Sequence, residues 1–467
     1  MTHYGAIMST TPTPSPHTPE PPGISELVRA VAGSVHTPAD AGFVDEIAGF
    51  NLAAVPSPVA VVGANSATDV ATAVRYAQDV GLRVGVRATG HGPIAEGDGY
   101  LTVTTHRMNG VEVDPVRRCA RVAAGARWQD VVAATAPHGL TGAVGSASTV
   151  GVVGYTLGGG LSPLGRALGY ATDHVRSLDV VTADGILRHV DRDNDPDLFR
   201  ALRGGRDGLG IVTSIEFDLF EISSVYGGGV FFDAEVADAV LHTWRQWAPT
   251  LPDDAGTSIA LLRLPPDPLL PPVLQGKTVV HLRFTFLGDD STGAALLAPM
   301  RAAGQALMTT VGRMPMSALD DVHMDPVGPM PVLEGSSAMH ALPDSAVDAV
   351  LSVAGADIES PLAIVELRLL GGRLDNPQGP ADSVVGRGRA FNVFTAGVCA
   401  GPWGHLAVAH TQAVVAAVAP WSDGALLNFS GGLDAAQRDQ LWPADERAWL
   451  AAVRSAYDPR GTLRPAP

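Results

Sequence analysis

Val86-Arg87-Ala88-Thr89-Gly90-His91-Gly92-Pro93 ends an alternating run and opens a loop of small residues around one histidine. Arg83 to Arg87 reads as a strand, because apolar and polar residues alternate and valine favours a pleated backbone. Glycines on both sides of His91 let the backbone turn tightly and approach a neighbour closely. A strand end, a loop and a lone histidine do not name a fold by themselves; the flanking segments carry that information.

Upstream, Ser66-Ala67-Thr68-Asp69 is a capping-box pattern with Asp in place of Glu. Val70, Ala73, Val74 and Ala77 follow at helical spacing, and Gly81 closes the helix. Downstream, Leu101 to Val103 and Cys119 to Val122 read as strands, and Trp128, Val131, Val132 and Thr135 mark a helix. From Gly139 to Gly169 charge is scarce and glycine dense, as in Gly145-Ser146-Ala147-Ser148-Thr149-Val150-Gly151-Val152-Val153-Gly154-Tyr155-Thr156-Leu157-Gly158-Gly159-Gly160. Glycine at that density fits backbone packed against something flat or large. Asp179 to Leu187 signals a hairpin with Asp184-Gly185 at its turn. Asp195-Pro196 starts a helix, with Asp195 as N-cap and proline at the first position. Gly208-Leu209-Gly210 leads into a strand from Ile211 to Phe220.

The character changes near Ser223. Longer strands follow (Val279 to Phe286, Leu362 to Leu370, Phe391 to Val398), with separate helices and Pro-rich breaks at Pro265-Pro266 and Pro271-Pro272. This pattern predicts a second domain, an antiparallel sheet with helices on one side. Met1 to about Pro22 is rich in Thr, Pro and Ser and is expected to be a disordered tail.

The bulk numbers limit the function. The chain has 467 residues, 46% of them hydrophobic, enough for two domains with large cores. With 31 Lys+Arg against 48 Asp+Glu, its net charge of -17 argues against nucleic acid and anionic membranes. Two cysteines, Cys119 and Cys399, are too few for a disulfide framework and read as buried free thiols. No membrane-spanning run and no secretory pattern is apparent, so a cytoplasmic protein is expected. Gly276-Lys277-Thr278 ends like a P-loop, but Pro271 stands where its first glycine belongs. The dinucleotide fingerprint, the serine nucleophile elbow and the zinc motif H-E-x-x-H are missing. The scattered histidines predict no metal site.

Four segments in order carry a resemblance: Arg87 to Gly92, Gly145 to Gly160, Asp195 to Gly205, and Gly210-Ile211-Val212-Thr213. Together they resemble the berberine bridge enzyme-like group of the vanillyl-alcohol oxidase flavoprotein superfamily. The likeness is strong from about Phe50 to Phe220 and weaker at Gly371-Gly372, Asn428 and Tyr457-Asp458-Pro459. It implies an α+β fold: a two-part, PCMH-type FAD-binding domain with an inserted substrate domain of antiparallel sheet flanked by helices. The expected boundaries are 23–222 and 411–467 for FAD binding and 223–410 for the substrate domain.

The resemblance also implies roles. Arg87, Ala88, Thr89, Gly90, His91 and Gly92 would hold the FAD pyrophosphate with successive backbone N–H groups. His91 matches the histidine that bonds to the flavin 8α-methyl. Gly145, Ser146, Val150, Gly151, Gly154, Ile211 and Asn428 are the other expected FAD-binding positions. A second link through cysteine is common in relatives, but the matching residue is Ala147, so His91 is expected to be the only covalent tether. Val150 stands where valine tends to admit O2, which favours an oxidase that produces hydrogen peroxide. Departures occur at Arg206-Asp207, at Ser162-Pro163, and at Phe429, where a tyrosine is usual.

For catalysis, Glu366 and Arg368 share one face of an alternating strand. A matching strand in relatives can place an acidic base over the flavin, making Glu366 the first candidate; a Glu366–Arg368 ion pair on a solvent face is the competing reading. Tyr155 is the second candidate, with packing as its alternative. His138 and His410 rank behind them as surface or structural residues. The expected reaction is hydride transfer from a small hydrophobic, secondary-metabolite-like substrate to FAD, with O2 as acceptor. A dehydrogenase, a flavin-oxygenating enzyme and a non-catalytic sequestering flavoprotein are the alternatives.

Overall fold

The computed structural model describes residues 21–463, apart from 54–55, 93–98, 376–378, 401–403 and 432. The expected tail lies outside them except for Pro21 and Pro22, as does Pro93. Among the described residues three sheets form.

The first has the order β1-β2-β4-β3: Ser34–His36, Ala60–Gly63, Tyr100–Thr104 and Arg83–Arg87. β2, β4 and β3 are parallel neighbours, so the chain must cross over between them. The helix Ala67–Val80 makes that crossover; Ser66 accepts from Asp69 N at its start and Gly81 ends it at φ 76°. The second sheet is antiparallel, in the order β5-β6-β9-β7-β8: Val111–Asp114, Cys119–Ala123, Ile211–Asp218, Val175–Val181 and Leu187–Asp191. The Asp184-Gly185 turn joins β7 to β8, with Gly185 at φ 69°. Asp195 differs from expectation. It precedes the helix Pro196–Gly205 at φ 54° without capping it, and its carboxylate instead accepts from Tyr457 Oη at 3.2 Å.

The third sheet has nine antiparallel strands: β10 (Ser224–Asp233), β11 (Ala255–Arg263), β12 (Thr278–Phe286), β13 (Ala306–Thr309), β14 (Gly312–Pro315), β15 (Val332–Met339), β16 (Leu362–Leu369), β17 (Phe391–Val398) and β18 (Ser422–Gly424). Alternation gives its central strands two different faces. Ile259, Leu261, Leu282, Phe284, Val365, Leu367 and Val393 point into one apolar core with the helices Ala237–Trp247, Asp290–Arg301, Asp344–Ala354 and Gly404–Val418. The residues between them, Ser258, His281, Arg283, Glu366, Arg368 and Asn392, are polar yet buried on the opposite face.

The expected boundary at 410/411 cuts through the helix Gly404–Val418, which packs into the large sheet's core through Val414 and Val418. The return to the first part comes after β18, where Leu450 and Val453 join the core that holds Trp128 and Leu198. Both cysteines are free, Cys119 buried and Cys399 half-buried. No helix among the described residues is long and apolar enough to cross a membrane.

Candidate active site

β3 delivers Arg87 into the interior, and the loop behind it closes around the guanidinium. A Cβ on Gly49 or Gly90 would lie 2.2 Å and 2.5 Å from Arg87 nitrogens, and Gly90 adopts φ +64°. Both glycines therefore serve packing as well as turning. The loop is fixed from outside by Phe50 N and Asn51 N, which donate to Thr89 O and Gly90 O at 3.0 and 2.9 Å. The Phe50 ring stacks on His91 at 3.9 Å and 5°. His91 Nδ1 is buried without a hydrogen-bond partner among the described residues. Burial, with Arg127 nearby, lowers the imidazole to about 4, so it is neutral at pH 7.

The glycine-rich stretch meets this loop. A Cβ on Gly151 would stand 3.3 Å from Thr89 Oγ1. Ser146 Oγ donates to Asp325 at 2.7 Å and Ser148 Oγ to Asp320 at 2.5 Å, so the segment preceding β15 holds the stretch in place. Val150 is half-buried. Gly154 is exposed in the helix Val152–Leu157, and a Cβ there would meet nothing within 4 Å. Tyr155 lies against Gly145 and Gly160, with its edge toward Trp128 at 5.5 Å. Its hydroxyl donates to Ala143 O at 3.0 Å, and burial pushes the phenol well above its ordinary range. Tyr155 is thus tied into packing. Asn428 Nδ2 donates to Tyr155 O at 2.8 Å and fills the space beside Gly158, which docks the C-terminal segment on the stretch. Ile211 is 2% exposed, in the core with Val62, Val84, Val103 and Val181.

On the sheet, Glu366 and Arg368 do pair, but inside the protein rather than on a solvent face. Glu366 Oε1 accepts from Arg368 Nε, and Oε2 from Arg283 Nη1, each at 2.5 Å. Burial alone would raise the carboxyl; Arg368 and Arg283 hold it below its ordinary range. Each arginine also donates to a histidine: Arg283 Nε to His281 Nδ1 at 3.2 Å, and Arg368 Nη2 to His323 Nε2 at 3.1 Å. Burial and the adjacent guanidiniums lower both imidazoles far below their usual range.

Three residues absent from the expected site belong to it. His323 and Asp325 follow the turn Met316–Val322 and reach the sheet face and the glycine-rich stretch respectively. Glu334, on β15, has no hydrogen bond among its described neighbours and is raised to about 7, chiefly by burial, against the opposing pull of Arg206. Arg206 in turn stands 3.2 Å from where a Gly92 Cβ would be. A carboxylate in the Val332–Met339 alternation was the available signal for Glu334. Nothing local marks His323 or Asp325.

His138 is exposed, and His410 is half-buried on the helix Gly404–Val418. Asp238, His242 and Asp348, from two helices, bring possible ligand atoms within 4.8 Å of one another. The His242 ring is already bonded to Asp344 and Asp348.

These residues fit an FAD. His91 offers a buried nitrogen with no partner among the described residues, Gly154 an open face, and Gly151 a close approach to Ala88 and Thr89. Comparison with known proteins agrees. Residues 58–191 match the FAD binding domain family. A FAD-dependent monooxygenase of Cochliobolus heterostrophus is 35% identical over 207 residues, 43% of this chain and 40% of that protein. (R)-6-hydroxynicotine oxidase of Paenarthrobacter nicotinovorans is 33% identical over 236 residues, 50% of this chain and 48% of that protein. The matched stretch thus spans about half or less of these relatives' own length. Two solved structures share the whole fold. 6-Hydroxy-D-nicotine oxidase from Arthrobacter nicotinovorans superposes with TM-score 0.77 at 23% identity, over 93% of this chain and 97% of that one. A berberine bridge enzyme-like protein of Physcomitrella patens gives 0.80 at 19%, over 94% and 97%. Residues 58–191 thus carry an FAD binding domain, and the chain as a whole shares the fold of these two solved structures.

Proposed function

We propose that the protein is an FAD-dependent oxidase that carries FAD covalently through His91 alone and acts on a small hydrophobic molecule. The carrying observation is the half-buried His91 imidazole, neutral and with a buried Nδ1 that has no partner among the described residues. Ala147 offers no sulfur for a second link. Bound FAD supplies a two-electron acceptor for a substrate C–H and passes those electrons to O2. The protein's part is to position groups and to move a proton.

Residues 87–92, 145–151, Gly154 and Asn428 are the proposed cradle, with Val150 leaving room for O2. Ile211 supports it from the core. In domain terms, residues 23–222 and those after β18 bind FAD, while 223–424 face the substrate. Among the site carboxylates, Glu366 is fixed as an anion by two guanidiniums and is a weak proton acceptor. Glu334, near 7, is matched to accepting a proton from a substrate hydroxyl or amine at neutral pH. Tyr155 shapes the site rather than titrating in it.

Acid precipitation of the FAD-loaded protein is the direct test. Yellow colour should stay with the wild-type chain and leave with His91→Ala; colour fully released from the wild type refutes the covalent link. The monooxygenase name of a 35% identical relative supports a second reading, oxygen insertion into the product. Turnover under labelled O2 separates the two, because an oxidase leaves the label in peroxide.

A further inference from the structure

We infer that the polar face of the large sheet holds an oxyanion-binding pocket, and that the substrate bears a carboxylate or an equally acidic oxygen that seats there. The pocket is read from its lining alone; that its ligand is the substrate rests on the oxidoreductase reading above.

Ser258, Arg283, His323 and Arg368 line a cavity together with Ser162 and Arg166. Arg166 is already engaged by the carbonyls of Ala255, Leu370 and Leu251 and by Asp253. Arg283 and Arg368 are not. Glu366 accepts one N–H from each, and His281 and His323 accept another. Arg283 Nη2 and Arg368 Nη1 have no partner among the described residues.

The histidines increase the excess of donors. A guanidinium only donates, so each ring nitrogen that faces one must accept, and the ring proton sits on the other nitrogen. His323 Nδ1–H and His281 Nε2–H are therefore donors, and both are buried without a partner. The Ser258 hydroxyl stands beside Glu366 but makes no hydrogen bond of ordinary geometry. The cluster's carboxylate, Glu366, already has both oxygens occupied, and the accepting nitrogens of His281 and His323 are taken by the arginines. Asp325, the other carboxylate in electrostatic reach, bonds Ser146 and forms no ion pair with either arginine among the described residues.

A buried group of donors with two guanidiniums and one bound carboxylate calls for a second anion. Water brings donors as well as acceptors; a carboxylate brings acceptors only and neutralises the second charge. Aromatic surface stands behind Arg368: Phe429 lies 5.5 Å from its guanidinium and packs against Phe394 at 5.3 Å. That combination favours an aryl carboxylate over a small free anion.

Calorimetric titration of the purified protein with benzoate, benzamide and acetate tests this at pH 7. Benzoate should bind, with benzamide and acetate at least about tenfold weaker, the scale of one lost charged hydrogen bond. Arg368→Gln should weaken benzoate by about tenfold or more. Ser258→Ala, a milder change that keeps the ion pairs, should weaken it about threefold. Benzamide binding as tightly as benzoate, no benzoate binding, or unchanged affinity in Ser258→Ala overturns the pocket. Acetate as tight as benzoate overturns the substrate assignment in favour of a free-anion site. None of these readouts needs turnover, so a protein without oxidase activity would refute the oxidase reading while leaving the titration to decide the pocket.

Discussion

Glu366→Gln separates a structural anion from a catalytic one. The substitution keeps the volume of a side chain that is 2% exposed but removes the charge facing Arg283 and Arg368, themselves 2% and 7% exposed. With charges about 4 Å apart in an effective dielectric near 20, each pair contributes about 4 kcal/mol, so the gross attraction is about 8 kcal/mol. Desolvation of the buried ions offsets a good part of this, and removing one partner from a buried ion pair typically leaves a net loss of about 3–5 kcal/mol. We expect a loss of that size in urea denaturation at pH 7, followed by circular dichroism, with the slope unchanged. The pH dependence has a definite sign. The folded carboxyl lies below its ordinary range, so its stabilisation is complete above that range and lost as pH falls through the folded value. The gap between wild type and variant should therefore narrow in acid. A loss under about 1 kcal/mol at pH 7, or a gap that widens on acidification, would refute a structural role for the triad.

Glu46, bonded to Thr104 of β4 and to Arg107, gives a second titration. Burial would raise it, but Arg107 and Thr104 bring it from 4.5 to about 2. Glu46→Gln should be less stable than wild type at pH 7, and thermal melts of the two should converge between 4.5 and about 2. Gly158→Ala places a Cβ 1.9 Å from Asn428 Oδ1 and displaces the bond from Asn428 to Tyr155 O. A loss of about 2–4 kcal/mol is expected, from about 1 for the hydrogen bond and 1–3 for overpacking, read from the urea midpoint.

Regular strands and capped helices were legible because their period and their boundaries are local properties. β3 and β17 begin and end at the residues their alternation predicts, Arg83 and Arg87, and Phe391 and Val398. The helix after Ser66 has the predicted cap and the predicted glycine stop. Local reasoning failed where a distant group set the outcome. Asp195 has an N-cap residue's composition, but Tyr457 claims its carboxylate. Gly404–Val418 straddles the expected boundary because its apolar side is satisfied by the large sheet. Glu366 was found and its environment was not: alternation shows that it shares a face with Arg368, while Arg283 arrives from a strand 83 residues away. His323 and Asp325 follow a short turn with no periodicity to mark them.

The hydrogen bonds around Asn51 have a mechanical consequence. Leu52 N donates to Met330 O and Met330 N to Phe50 O, while the Asn51 side chain bonds both Val332 N and Val332 O. Phe50 and Asn51 also hold the His91 loop. The loop and the end of β15 are therefore laced to a single strip of backbone, like two covers sewn to one spine. The FAD-binding part and the sheet are thereby tied together on the histidine side of the site, and the Arg166 bonds to Ala255, Leu370 and Leu251 tie them again beside the glycine-rich stretch.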